Sequence, residues 1–192
     1  MTSAEAPMNT TFPHSYECQR LTETPRIALP HYYYPGASTQ GGHDGVLAEI
    51  RPENGEPWLG TFAFGRIAPK GASGIFTTPS PHRLCVVATG EGCIVSANAA
   101  AAWEPVRATP IIDVRPIRAQ GIIVFASFTE LVAYGSAGIK WRTKRLTWDN
   151  LKITEVTDTL IRGEFWDIRS EAMAGFVVDL ATGTHQGGIK EL

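Results

Sequence analysis

Cysteine is scarce in this sequence of 192 residues, with Cys18, Cys85 and Cys93 making up the whole supply. An odd and sparse set excludes a disulfide-dependent scaffold and fits a reducing compartment. Long apolar runs are missing as well: stretches such as Gly121 to Ser127 fall far short of the roughly 20 residues a membrane helix needs. No membrane is expected as a partner. Nor is there an excess of one charge, since 17 Lys and Arg face 19 Asp and Glu for a formal net charge of -2. No global field draws nucleic acid, so none is expected as a partner. Met1 to Ala6 contain no Lys or Arg and precede no apolar core, so neither a secretory signal nor a transit peptide is expected, and cytoplasmic residence follows.

What is present is a chain rich in turn formers, with 19 Gly and 13 Pro beside 43% hydrophobic residues. Residues 1–28 are rich in Thr, Ser, Pro and Glu without a sustained apolar period and read as a flexible tail. Residues 29–192 then read as one domain. After the aromatic run His31 to Tyr34 and a Gly-rich loop, twelve short β-rich runs recur between turn signals. They lie at 46–51, 58–64, 74–77, 84–88, 93–97, 111–117, 121–126, 131–134, 139–143, 151–156, 159–166 and 176–180. Only Ala97 to Glu104 has helical composition, and it is short and stops at Pro105, so it reads as a turn or one helical turn. The expected class is all-β, an antiparallel sandwich or curled sheet. Cys85 and Cys93 flank a hairpin turn at Thr89-Gly90, which leaves open either a facing redox pair or two buried thiols.

Two stretches superpose on their tryptophans: Val95-Ser96-Ala97-Asn98-Ala99-Ala100-Ala101-Ala102-Trp103 and Ala133-Tyr134-Gly135-Ser136-Ala137-Gly138-Ile139-Lys140-Trp141. Each is an apolar strand, a small-residue turn and a Trp entering the next strand. Here the chain resembles the hairpins of β-propeller blades. Ser96-x-Asn98-x-Ala100-x-x-Trp103 resembles the Asp-box of sialidase-like propellers, with Asn in the Asp place and Ala in the Gly place. Asp179-Leu180-Ala181-Thr182-Gly183 is similar to the Asp-x-x-Thr-Gly turn of quinoprotein-type blades, although Gly187 stands where their Trp would be. Trp141-Arg142, Trp148-Asp149 and Thr182 to Gly188 together resemble the C-terminal arrangement of bacterial proteins of unknown function. The resemblance implies blade-like hairpins whose turns are structural, and it names no activity. At about 40 residues per blade the domain holds about four, too few to expect a complete single-chain propeller. Pairing into a homo-oligomer is one way to protect the edges of such a fold.

Chemical motifs are absent where the common activities need them. Gly71-Ala72-Ser73-Gly74 is one residue short of a nucleophile elbow, and Gly36 to Gly41 is followed by Gly42-His43 where a phosphate-cradling loop requires Lys and a hydroxyl residue. The five histidines, His14, His31, His43, His82 and His185, form no close pair for a metal. No metal site and no cofactor are expected. Glu164 and Asp167 lie at odd parity on one strand, which points them to opposite faces.

The stretch Lys140-Trp141-Arg142-Thr143-Lys144-Arg145-Leu146-Thr147-Trp148 is the candidate surface. On a strand Lys140, Arg142 and Lys144 share one face, and with Trp141 and Arg145 they form a candidate site for a partner protein or an anionic ligand. The competing reading is a solvated basic face over core tryptophans. The expected function is therefore a non-enzymatic interaction or ligand-binding protein. The alternative is a small hydrolase acting on carbohydrate through carboxylates and a loop histidine such as His43.

Overall fold

The structure is a computed structural model that describes residues 8–42, 44–67 and 69–189. Its strands form four sheets of four, taken in chain order. The first contains β1 (Tyr16–Leu21), β2 (His31–Tyr34), β3 (Gly45–Pro52) and β4 (Trp58–Ala63) in the order β1-β3-β4-β2. The second contains β5 (Gly74–Thr77), β6 (Arg83–Ala88), β7 (Glu91–Ser96) and β8 (Ala99–Pro105). β9 (Asp113–Ile117), β10 (Ile122–Ala126), β11 (Leu131–Gly135) and β12 (Gly138–Arg142) make the third. β13 (Lys152–Val156), β14 (Leu160–Asp167), β15 (Ala172–Asp179) and β16 (His185–Gly187) make the fourth. Sheets two to four are antiparallel meanders in sequence order, whereas β2 runs parallel to β4. The all-β expectation holds, and the sheets do not close into a barrel or propeller.

Three apolar layers bind the sheets face to face. Trp58, Phe62 and Ile50 of the first sheet meet Leu84, Val86 and Val95 of the second. Cys85, Val87 and Ile94 on the opposite face of the second meet Ile123, Phe125 and Tyr134 of the third. Val124, Ala133 and Trp141 on the other face of the third meet Ile161, Phe165 and Phe176 of the fourth. Two sheets are thus covered on both faces. β6 and β10 are buried almost end to end for that reason, while β14 alternates buried and accessible residues.

The two outer sheets treat their free faces differently. From the end of β1 the chain must reach the start of β2, three strand spacings or about 14 Å away and two residues back along the strand direction. Residues 22–30 make this connection, and the Pro30 carbonyl at its end accepts from the Leu59 N–H at 2.8 Å. Leu59 and Glu49 point to the outer face, yet they are only 1% and 8% exposed. Glu17, Gln19 and Arg51 on the same face are exposed, so this face is covered only around Leu59 and Glu49. The outer face of the fourth sheet carries ion pairs instead, Lys152 with Glu164 at 2.8 Å and Arg162 with Glu155 at 3.3 Å.

All twelve expected strands are present, and four strands were not anticipated. A tail through residue 28 is expected, but Phe12 is buried and β1 forms six pairings with β3; residues 1–7 lie outside the described residues. The Ala-rich stretch is strand β8 rather than a helical turn. An isolated eight-residue helix is marginal in water, whereas β7 offers a ladder of backbone partners. β2 and the three-residue β16 complete the set.

The hairpin turn at Thr89-Gly90 forms as expected, but Cys85 pairs with Ile94 and Cys93 with Val86. That one-residue offset points the two thiols to opposite faces of the second sheet, which excludes the redox pair. Both are free and buried. Burial pushes the Cys93 thiol up to about 12, with Glu91 adding to the effect, and holds Cys85 well above the usual thiol range. A thiol-specific disulfide reagent at pH 8 is therefore expected to modify both on the order of 1000-fold more slowly in the native protein than in denaturant. Rapid modification of Cys85 and Cys93 in the native state would contradict this layering.

Candidate functional site

Trp103 and Trp141 occupy matching positions on the fourth strands of successive sheets, Trp103 opposite Val95 and Trp141 opposite Ala133. Their directions differ. Trp103 packs toward the first sheet and Trp141 toward the fourth, because Val95 and Ala133 belong to different layers. A second pairing is closer in geometry. The Trp58 indole N–H donates to the Ala97 carbonyl and the Trp141 indole N–H to the Leu180 carbonyl, both at 2.8 Å and across 39 residues. Each clamps a neighbouring sheet. Gly183 completes the second clamp: its φ is +74°, and a Cβ there would sit 2.7 Å from the Trp141 ring. Asp179 holds the same turn by accepting from the Ala181 and Thr182 N–H groups and from the Thr182 hydroxyl. The Thr182 hydroxyl is the main reason that its carboxyl stays below the usual aspartate range. The Asp-x-x-Thr-Gly turn is thus a structural dock.

This placement removes Trp141 from the expected basic surface, because the ring is core. Arg142 is exposed but engaged, with its guanidinium 3.6 Å from Glu130 and donating to the Arg107 carbonyl. Lys140, Lys144 and Arg145 are exposed, and the Arg145 guanidinium lies 5.0 Å from the ring centre of exposed Trp148. β12 ends at Arg142, so Lys144 and Arg145 do not continue a flat strand face. Of the four cations, only Lys140 and Arg142 lie on the strand.

Glu164 is paired with Lys152 on the outer face, and Asp167 accepts from Arg169 N–H and the Ser170 hydroxyl in the β14–β15 turn. These carboxylates converge on no common point. His43, the histidine of the hydrolase reading, lies outside the described residues. Among the described residues no three His, Cys, Asp or Glu side chains cluster to hold a metal ion. No helix of the structure is long and apolar enough to cross a membrane.

The site that the structure builds lies elsewhere. A cavity of about 410 Å³ opens between the first and second sheets, where β4 ends and β7 begins. Its walls include Tyr34, Phe62, Phe64 and Trp103, with Cys93 and Val86 deeper and Arg66 and Glu91 exposed at the rim. Tyr34 and Phe62 stack with ring centres 4.7 Å apart, and Trp103 meets Tyr34 edge-on at 6.0 Å. The Tyr34 hydroxyl donates to the Ala100 carbonyl at 2.6 Å, which ties the first sheet to β8. One wall turns over onto the second sheet through the Gly65 N–H, which donates to the Ala88 carbonyl at 2.8 Å. A Cβ at Gly65 would come within 2.2 Å of the Thr89 carbonyl oxygen, so this close approach requires glycine. The walls are therefore fixed before any ligand arrives.

Sequence reading missed this cavity because its walls come from six separated segments. Trp103 stood out as a repeat marker, and Phe62 and Phe64 as strand residues. The alternation that leaves Phe64 48% exposed at a strand end is the one local signal available. No family model matches the chain, and neither a curated protein nor a solved structure matches it.

Proposed function

We propose that the protein is a ligand-binding module whose site is the cleft between its first two sheets. The observation that carries this reading is the preformed, aromatic-walled cavity of about 410 Å³. That volume falls within the roughly 300–1,000 Å³ usual for small-molecule sites, where apolar walls supply affinity and a few polar groups fix orientation. Arg66 and Glu91 at the rim provide one group of each sign. The fitting ligand is compact and mainly apolar, with its polar end at the mouth.

Binding rather than turnover is the reading because the lining offers no nucleophile held against a base. Its thiol, Cys93, stays protonated at neutral pH. The test uses the environment-sensitive dye 1-anilinonaphthalene-8-sulfonate, whose rings suit the walls and whose sulfonate suits Arg66. Its fluorescence should rise on saturable binding of one dye per chain, with quenching of Trp103. Trp103→Ala should weaken binding at least about tenfold, the equivalent of removing one buried aromatic contact of roughly 1.4 kcal/mol or more. Non-saturable dye binding, or binding indifferent to Trp103→Ala in a folded variant, would reject the site.

A further inference from the structure

The charged rim of the cleft selects among apolar ligands. Among the described residues of its lining, only Arg66 and Glu91 carry a charge at neutral pH, and both are exposed at the mouth. Their backbones are held together. The Gly65 N–H donates to the Ala88 carbonyl, and a Cβ at Gly90 would come within 2.8 Å of the Ile67 side chain, so the residues on either side of Arg66 lie against the β6–β7 turn. A Cβ at Gly65 would also sit 2.9 Å from Cγ of Glu91, so the stem of Glu91 packs on the segment that carries Arg66. Glu91 and Cys93 are two residues apart on β7 and share the face turned to the first sheet. Burial and then the Glu91 carboxylate raise the Cys93 thiol, which places that charge within reach of the cleft floor. Among the described residues, neither Arg66 nor Glu91 forms an ion pair or a side-chain hydrogen bond.

A ligand of one charge leaves this rim half matched. The head of an acid meets Arg66 but stands beside Glu91, and the head of an amine meets Glu91 but stands beside Arg66. Like-charge juxtaposition of this kind costs affinity. A head group with one ammonium and one carboxylate satisfies both residues. The interior sets the other end of the ligand. Its deeper side chains are Val86 and Cys93, and the Tyr34 hydroxyl is committed to the Ala100 carbonyl, so the far end meets a thiol, a weak hydrogen-bonding group. A polar group carried that deep gives up water without an equal replacement. A hydrocarbon side chain has no such loss, and the aromatic walls favour a large one.

We infer that the cleft takes a free α-amino acid with a large hydrocarbon side chain, its ammonium at Glu91, its carboxylate at Arg66 and its side chain against Phe62, Trp103 and Cys93. This assignment rests on the cleft being the ligand site. Calorimetric titration of the full chain with L-phenylalanine tests it. Three comparison ligands isolate the terms: 2-phenylethylamine lacks the carboxylate, 3-phenylpropionate lacks the ammonium, and L-tyrosine adds a hydroxyl at the deep end. L-Phenylalanine should displace the anilinonaphthalene dye and bind at least about tenfold tighter than any of the three.

Exchanges at the rim provide the deciding readout. Arg66→Gln should weaken L-phenylalanine at least about tenfold without weakening 2-phenylethylamine, and Glu91→Gln should do the same without weakening 3-phenylpropionate. A purely structural role for either residue would lower all the ligands alike. Crossed losses therefore support the assignment. Uniform losses overturn it, as does L-phenylalanine that binds no tighter than the single-charge analogues. If L-phenylalanine gives no heat at millimolar concentrations while the dye still binds saturably, the amino-acid assignment fails and the cleft remains the ligand site. Loss of saturable dye binding as well removes both.

Discussion

Replacing Trp141 with alanine is expected to lower the free energy of unfolding by about 4 kcal/mol, the range for deleting a large buried aromatic. Three terms add in one direction. The ring fills the layer between the third and fourth sheets, its N–H satisfies the Leu180 carbonyl, and its face carries the backbone of Gly183. Trp141→Phe keeps most of the apolar area and loses the donor, so its cost should be roughly 1–2 kcal/mol, that of one unmet buried acceptor with a small cavity. Urea titration followed by circular dichroism measures both. A loss below about 1 kcal/mol for the alanine variant would mean that the clamp does not hold the fourth sheet, given the 5–15 kcal/mol typical of whole domains.

The second large effect is expected at Phe125, in the middle layer. Its side chain is fully buried and meets Tyr134 edge-on, with ring centres 5.5 Å apart. Phe125→Ala should cost about 3–5 kcal/mol from lost burial and the cavity left behind. The position adds a further consequence. The middle layer is the junction between the first two sheets and the last two, so weakening it should also divide a single unfolding transition into two. Trp58 and Trp103 report on one half, and Trp141 and Trp166 on the other. Single-tryptophan variants that retain Trp58 or Trp141 should then show midpoints that separate in the Phe125→Ala background and coincide without it. Coincident midpoints in both backgrounds would mean that the stack does not depend on that layer for its coupling.

Much of the architecture was legible, and particular residues explain the rest. The class followed from short β-rich runs between turns, and the strand position of Trp141 followed from the run at 139–143, whereas β8, which carries Trp103, was hidden by its alanines. Even the layer order is written in the chain: Leu84 to Ala88 and Ile122 to Ala126 are unbroken apolar runs because both faces are covered, while Leu160 to Asp167 alternates because one face is open. β1 escaped notice because its alternation spans only six residues and is flanked by Pro and Thr. The candidate strip loses Trp141 for a different reason. Strand parity separates Trp141 from Arg142 correctly, but it cannot say which layer a face meets, and Trp141 meets one. The cleft was the least legible feature, since Tyr34, Phe62 and Trp103 come together only through pairing between distant segments.

The strand order of the first sheet sets a timetable for the chain during synthesis. In the other three sheets each new strand pairs with the one just made, so loop closure is short and the ladder grows as the chain lengthens. β1 and β2 emerge before either of their partners exists: β1 waits for β3, and β2 waits for β4. During that interval the apolar side chains of Tyr16, Cys18 and Tyr34 have no layer to enter. These two strands therefore remain unpaired while the chain lengthens, and a nascent chain halted before Gly45 would expose both strands together.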